Sequence, residues 1–203
     1  MMSYANRPEY LTVDDYLLKE AESILKHEYV DGWVRGMTGG TLRHNAVAGN
    51  CFVALANRLR GNPCRPFNSD TKLRVAHDGA TRFYYPDLQV VCESNDFRSV
   101  YQDRPILIIE VLSPATRRYD LDEKMTSYLA IPSLQSYIVL EQHQPIAILM
   151  RRTVNGFVRE TIQGLNSQID FPFLTSSLPM DEIYEGIEFT PECVQEAEET
   201  YSP

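Results

Sequence analysis

Two carboxylates sit where a folding chain seldom leaves them. Asp87 lies between Tyr-Tyr-Pro and a strand-forming run in "RFYYPDLQVVCES", and Glu110 interrupts the apolar run "PILIIEVL". That run is apolar at both parities, so both faces of its strand are expected to be buried. An ionised carboxylate in such a place costs several kcal/mol unless it is paired or binds a metal. One reading of Glu110 is therefore a buried ion pair with an arginine or lysine, or a strand end that reaches water. Asp87 taken alone reads as turn chemistry after proline at the start of a strand. Taken together, two carboxylates near the ends of neighbouring central strands converge on one point. Two hard oxygen donors plus water are what Mg²⁺ or Mn²⁺ accepts.

A cation of the protein's own belongs to the same argument. Asp120, Lys124 and Tyr128 are spaced i, i+4 and i+8, which puts them on one helix face. "Asp120-Leu-Asp-Glu123" reads as a capping box, with Asp120 capping and Glu123 reaching back. Lys124 then falls in the first turns of the helix, where the macrodipole disfavours a cation, so negative charge nearby must hold it. The alternative is an exposed lysine paired with Asp120.

These groups need a scaffold. "LTVDDYLLKEAES" reads as an amphipathic helix capped by Thr12, and "HEYVDGWVRGM" as a hairpin turning at Asp31-Gly32. The longest helix spans 41–60, with Val47, Cys51, Leu55 and Leu59 recurring every four residues and Gly61 ending it. "RPFNS", "TKLRVA", "FYYPDLQVVCE" and "PILIIEVL" read as strands. "YDLDEKMTSYLA" reads as a helix stopped by Pro132. "LQSYIVLEQ", "IAILMRRT" and "GFVRETI" are further strands, the last two joined by a turn at Asn155-Gly156, and "MDEIYEGI" is a final short helix. That order predicts an α/β (α+β) domain with a mixed central sheet flanked by helices, over 1–189, followed by an acidic tail over 190–203.

The formal net charge is −9, but residues 181–203 hold eight acidic groups and no Lys or Arg; the remainder carries 19 basic against 20 acidic side chains. That balance excludes a nucleic-acid binder working through a broad basic surface, and leaves phosphate contact to a local patch or a bound cation. The four cysteines are scattered without a CxxC pair and read as reduced thiols, with no zinc site. No apolar run reaches the roughly 18 residues of a membrane span, and the first residues lack a signal-peptide pattern, so a cytoplasmic protein is expected.

"YYPDLQVV" followed by "IEVLSPATRRYDLDEKMTSYLAIPSLQSYIVL" resembles the Uma-type restriction-endonuclease family, abundant in cyanobacteria and part of the PD-(D/E)xK nuclease superfamily. The resemblance covers roughly residues 10–185 and implies a restriction-endonuclease-like core that cleaves DNA with Mg²⁺ or Mn²⁺. It implies Asp87, Glu110 and the backbone carbonyl of Val111 as metal ligands. One departure stands out: the superfamily lysine sits two residues after the glutamate, and Leu112 occupies that position. The resemblance moves the role to Lys124. Glu28 resembles the family's early glutamate; its alternative is a hairpin surface carboxylate. His44 falls at a family-typical place on the inward side of its helix, where a buried or capping role competes with a catalytic one. Ser113 and Arg117 lie in the loop before the Lys124 helix and could touch a phosphate, although loop polarity alone explains them.

Three functions follow. The first is a metal-dependent endonuclease, with Asp87, Glu110 and Lys124 catalytic and Asp120 and Tyr128 accessory. The second is a catalytically inert nuclease fold serving as a dimeric interaction or regulatory module. The third, binding of a small phosphorylated ligand, lacks a Gly-rich phosphate loop. A homodimer is expected, through a strand edge near "LQSYIVL" and "IAILM".

Overall fold

The computed structural model describes residues 10–37, 39–114 and 116–189. The acidic segment expected over 190–203 lies outside the described residues. Helix α1 (Val13–Glu22) starts at Thr12, whose hydroxyl accepts the Asp15 N–H. β1 (His27–Val30) and β2 (Trp33–Gly36) form the expected hairpin, with Asp31 and Gly32 both at positive φ, as a two-residue turn of the primed type requires. Helix α2 (Leu42–Arg58) is capped by Thr41, which accepts the His44 N–H at 3.1 Å; such a cap is worth about 1 kcal/mol.

Strands β3 (Arg65–Asn68), β4 (Lys72–His77), β5 (Ala80–Tyr84), β6 (Leu88–Val91), the short β7 (Tyr101–Gln102) and β8 (Pro105–Val111) follow. A helical stretch then runs through α3 (Arg117–Tyr119), a π-helical segment (Asp120–Lys124) and α4 (Met125–Leu129). β9 (Ser136–Leu140), β10 (Ile146–Thr153) and β11 (Gly156–Gln163) come next. β12 (Gln168–Phe171), β13 (Ser176–Pro179) and α5 (Met180–Ile183) complete the elements of the described residues.

The mixed α+β fold expected from the sequence is present, with its strands divided between sheets. One has the order β2-β1-β5-β4-β7, another β11-β10-β9-β8-β6-β3, and β12 pairs with β13. β8 runs parallel to β9, with the helical stretch as crossover, and antiparallel to β6. All but one residue of β8 is buried, as its two-faced apolar pattern demands. Leu107, Ile109 and Val111 pack towards Val47, Cys51 and Leu55 of α2. Ile108 and Leu112 face Tyr128 of α4 and Leu73, Val75 and Tyr84 of the other sheet. Glu110 has the parity of Ile108 and Leu112, so it points into the layer between the sheets.

Several expectations are corrected. "FYYPDLQVVCE" is not one strand: it breaks at Tyr85-Pro86-Asp87, and its halves join different sheets. Cys64 and Cys92 are not free thiols but form a disulfide, because the Arg65↔Val91 register sets them opposite one another with Cα atoms 3.7 Å apart. Cys51 is free and buried. β9 and β10 are interior strands, so the edge proposed there for a dimer does not exist; β11 and β3 are the edges of that sheet. Among the described residues no helix is long and apolar enough to cross a membrane.

Candidate active site

The antiparallel register Leu88↔Ile109 places Asp87, one residue before β6, across from Glu110 near the end of β8. Backbone donors lock the two together. The Asp87 N–H donates to Glu110 Oε2 at 3.2 Å, and the Val111 N–H donates to Asp87 Oδ2 at 2.8 Å. Two carboxylates far from each other in the chain are thereby held on one corner of the sheet.

The helical crossover brings Lys124 to the same corner. Its ammonium donates to Glu110 Oε1 at 3.1 Å, and lies 3.0 Å from Glu28 Oε1 and 3.3 Å from Asp120 Oδ1. Lys124 thereby holds the last two carboxylates as buried ion-pair partners. Tyr128 donates its hydroxyl to Glu110 Oε1 at 3.0 Å. The π-helical segment carries Asp120 and Lys124 on its inner side, both buried, and the Tyr137 hydroxyl donates to the Asp120 carbonyl. Single π turns inside α-helices recur at functional sites.

Charge in this place is expensive. Burial pushes the Glu110 carboxyl well above its ordinary range; Lys124 opposes the shift, while Asp87, Asp120 and Glu28 add to it. Asp120 is raised for the same leading reason, with Lys124 again opposing. For Lys124, desolvation works against the ammonium, but Glu110, Glu28, Asp120 and Asp87 outweigh it and the pKa rises well above the usual lysine value. Three carboxylates thus surround one lysine, with the charge of Asp87 close behind them. On the open side Gly39, Gly40, Thr41, His44, Ser113, Pro114 and Thr116 complete a cavity of about 270 Å³ that Asp87, Glu110 and Lys124 also line.

A family model described as "Uma2: Putative restriction endonuclease" matches residues 10–185. The chain belongs to this family. Two uncharacterized proteins of Synechocystis sp. are similar to it, at 29% identity over 180 residues (88% of this chain, 94% of the relative) and 27% over 168 residues (81% and 94%). In fold it resembles a solved structure described as a "putative nuclease belonging to DUF820" from Anabaena variabilis. The TM-score is 0.68 at 15% identity, covering 85% of this chain and 97% of that one.

In this family member the remaining candidates are placed as follows. Glu28 is a buried neighbour of Lys124, not a surface carboxylate, and Lys124 is not exposed. His44 donates its Nε2 N–H to Asp87 Oδ1 at 3.0 Å. Desolvation lowers the pKa of His44, yet the bond and charge of Asp87, the charge of Asp120 and the Val111 carbonyl together raise it. No capping box forms: Asp120 lies inside the helical stretch and spends its carboxylate on Lys124, because burial beside a cation outweighs a surface cap. Ser113 hydrogen-bonds Thr116 in a local turn and lines the cavity. Arg117 pairs with Glu141.

Sequence reasoning missed two supports. Buried Gln142 donates to the Leu112 carbonyl and accepts from Thr41, tying the start of α2 to the end of β8. Tyr119 stacks under Arg35, with the guanidinium carbon 4.2 Å from its ring centroid. No local pattern flags either residue, since both contacts span distant parts of the chain.

The donor chemistry fits a divalent cation. Asp87, Glu110 and the Val111 carbonyl are hard oxygens on adjoining strand ends, and negative charge is in surplus. Among the described residues no three His, Cys, Asp or Glu side chains form a ready metal cage. Water and substrate phosphate would have to complete the coordination.

Proposed function

We propose that this protein is a Mg²⁺- or Mn²⁺-dependent endonuclease that hydrolyses phosphodiester bonds in DNA. The observation that carries the reading is the surplus of carboxylates: Glu28, Glu110 and Asp120 surround a single lysine, and Asp87 stands against Glu110, in the wall of an open cavity. A folding chain gains nothing from that imbalance, whereas a cation-binding one needs it.

Asp87, Glu110 and the Val111 carbonyl are the residues that would hold the cation. When bound, it would supply Lewis-acid polarisation of the phosphate and acidify a water. Lys124 donates towards the Glu110 edge of the cavity and stabilises negative charge developing there. Asp120 and Glu28 keep that ammonium protonated and aimed. Tyr128 fixes the rotamer of Glu110 from below, and His44 does the same for Asp87. The role that two-residue spacing assigns to Leu112 falls to Lys124, because Leu112 is buried in the apolar layer.

One specific observation favours an inert nuclease fold instead: Glu110 and Asp87 already have partners in Lys124 and His44. Incubation of supercoiled, linear and single-stranded DNA with the protein and Mn²⁺ separates the readings. Cleavage that disappears in Asp87→Ala and Glu110→Ala supports the enzyme. Mn²⁺ affinity by calorimetry that is unchanged in both variants overturns the assignment of the ligands.

A further inference from the structure

β2 is an edge strand, and all four of its residues are exposed. Its register with β1 pairs Arg35 with Glu28 and Trp33 with Val30. Residues directly opposite on antiparallel strands share a face, so Arg35 and Trp33 stand on the same side as Glu28. Glu28 meets Lys124 there, and a small cleft lined by Glu28, Arg35, Tyr119, Thr116 and Lys124 adjoins the main cavity, the two sharing Thr116 and Lys124 in their walls. The Arg35 guanidinium lies over the Tyr119 ring. Among the described residues no carboxylate forms an ion pair with it, so its donors remain available. Trp33 is half exposed, and Tyr10 makes a T-shaped ring contact with it.

We propose that Trp33 and Arg35 form a shelf that binds an unpaired stretch of nucleic acid leading into the carboxylate site, Trp33 stacking a base and Arg35 holding a phosphate. The proposal rests on the nuclease reading and names the form of its substrate. A base offers its face to an indole only when it is out of a duplex, where both faces are covered by neighbours. Charge argues the same way. Duplex binding draws its affinity from many released counterions, and this chain carries a net −9. Stacking supplies affinity without basic surface, and a guanidinium two residues along on the same strand face supplies the one charge complement needed for register. The stack on Tyr119 pre-orders Arg35, so less side-chain entropy is lost on binding.

Trp33 is the only tryptophan in the chain, so intrinsic fluorescence reads the shelf directly. The probe is a twelve-nucleotide oligothymidine in EDTA, where no cutting occurs, compared with a duplex of equal length. The oligothymidine should quench Trp33 saturably and the duplex should not. By labelled-oligonucleotide anisotropy, Trp33→Ala should weaken binding about 5- to 100-fold while leaving its salt dependence unchanged, and Trp33→Phe should restore part of the loss. Arg35→Ala should reduce the slope of log affinity against log salt by about 0.7, the value for one single-strand phosphate. Equal quenching by the duplex, or wild-type binding by Trp33→Ala, overturns the shelf. So does a shift from dimer to monomer on Trp33→Ala in sedimentation, which would make β2 a self-association edge. Mn²⁺-dependent cleavage with Trp33-independent binding sinks the shelf and leaves the nuclease reading intact. Trp33-dependent binding without cleavage does the reverse.

Discussion

Replacing Glu110 with glutamine separates a site held for chemistry from one held for stability. Oε1 accepts from Lys124 at 3.1 Å and from Tyr128 at 3.0 Å, and the amide oxygen of glutamine can keep both bonds. What disappears is charge. At an effective dielectric near 20, the attraction to Lys124 is about 5 kcal/mol. Glu28 and Asp120 touch the same ammonium, which places each within roughly 6 Å of Oε1, and each repels Glu110 by about 3 kcal/mol on the same scale. Attraction and repulsion therefore nearly cancel, and desolvation with the added charge of Asp87 tips the balance towards the neutral form. A glutamine NH₂ facing the Asp87 N–H gives back about 1–3 kcal/mol. Glu110→Gln should accordingly unfold in urea with EDTA at pH 7 within about 2 kcal/mol of the wild type. Mn²⁺ at a hundred times its dissociation constant should stabilise the wild type by about 2.7 kcal/mol and the variant not at all. A loss above about 3 kcal/mol without metal would mean that Glu110 is chiefly one half of a buried ion pair. An unchanged Mn²⁺ shift in the variant would remove Glu110 from the ligand set.

Lys124→Met leaves Glu28, Asp120 and Glu110 facing one another without a cation and should cost about 3–5 kcal/mol at neutral pH, less in acid, together with all cleavage; thermal melts at pH 5 and pH 7.5 check it, and equal stability at both would refute it. Glu110, Asp120 and His44 all bind protons more tightly folded than unfolded, so metal-free stability should fall as pH rises. The fall should begin near the ordinary carboxylate value, at up to about 1.4 kcal/mol per pH unit for each group, and flatten in Glu110→Gln; denaturant melts that show stability rising over pH 5–7 would contradict this. A Cβ at Gly40 would lie 2.6 Å from His44 Cδ2, so Gly40→Ala must push the imidazole off Asp87. The His44 pKa, read by NMR, should then drop from its raised value, and an unchanged titration would show that the ring is placed by other contacts.

Local pattern was enough for much of this protein. Thr12 is read as a cap because the chemistry of a helix start is carried by the next three residues, whereas the Thr41 cap emerged only in the structure. Asp31-Gly32 is read as a turn because only certain residues tolerate positive φ. The two-parity burial of "PILIIEVL" and the shared face of Asp120, Lys124 and Tyr128 follow from strand and helix periods, and they draw attention to Glu110 and Lys124 before any fold is known. Tertiary structure alone decided what those residues meet. It split the chain at Tyr85–Asp87 between two sheets, set Cys64 against Cys92 and made β9 and β10 interior. It also buried Glu28 beside Lys124 and turned Asp120 from a cap into an ion-pair partner. A period reports which way a side chain points from its own element. Its partner is chosen by which apolar faces bury one another across the whole chain, and that choice also decides whether the cost of an internal charge is met by a helix end, a lysine or a cation.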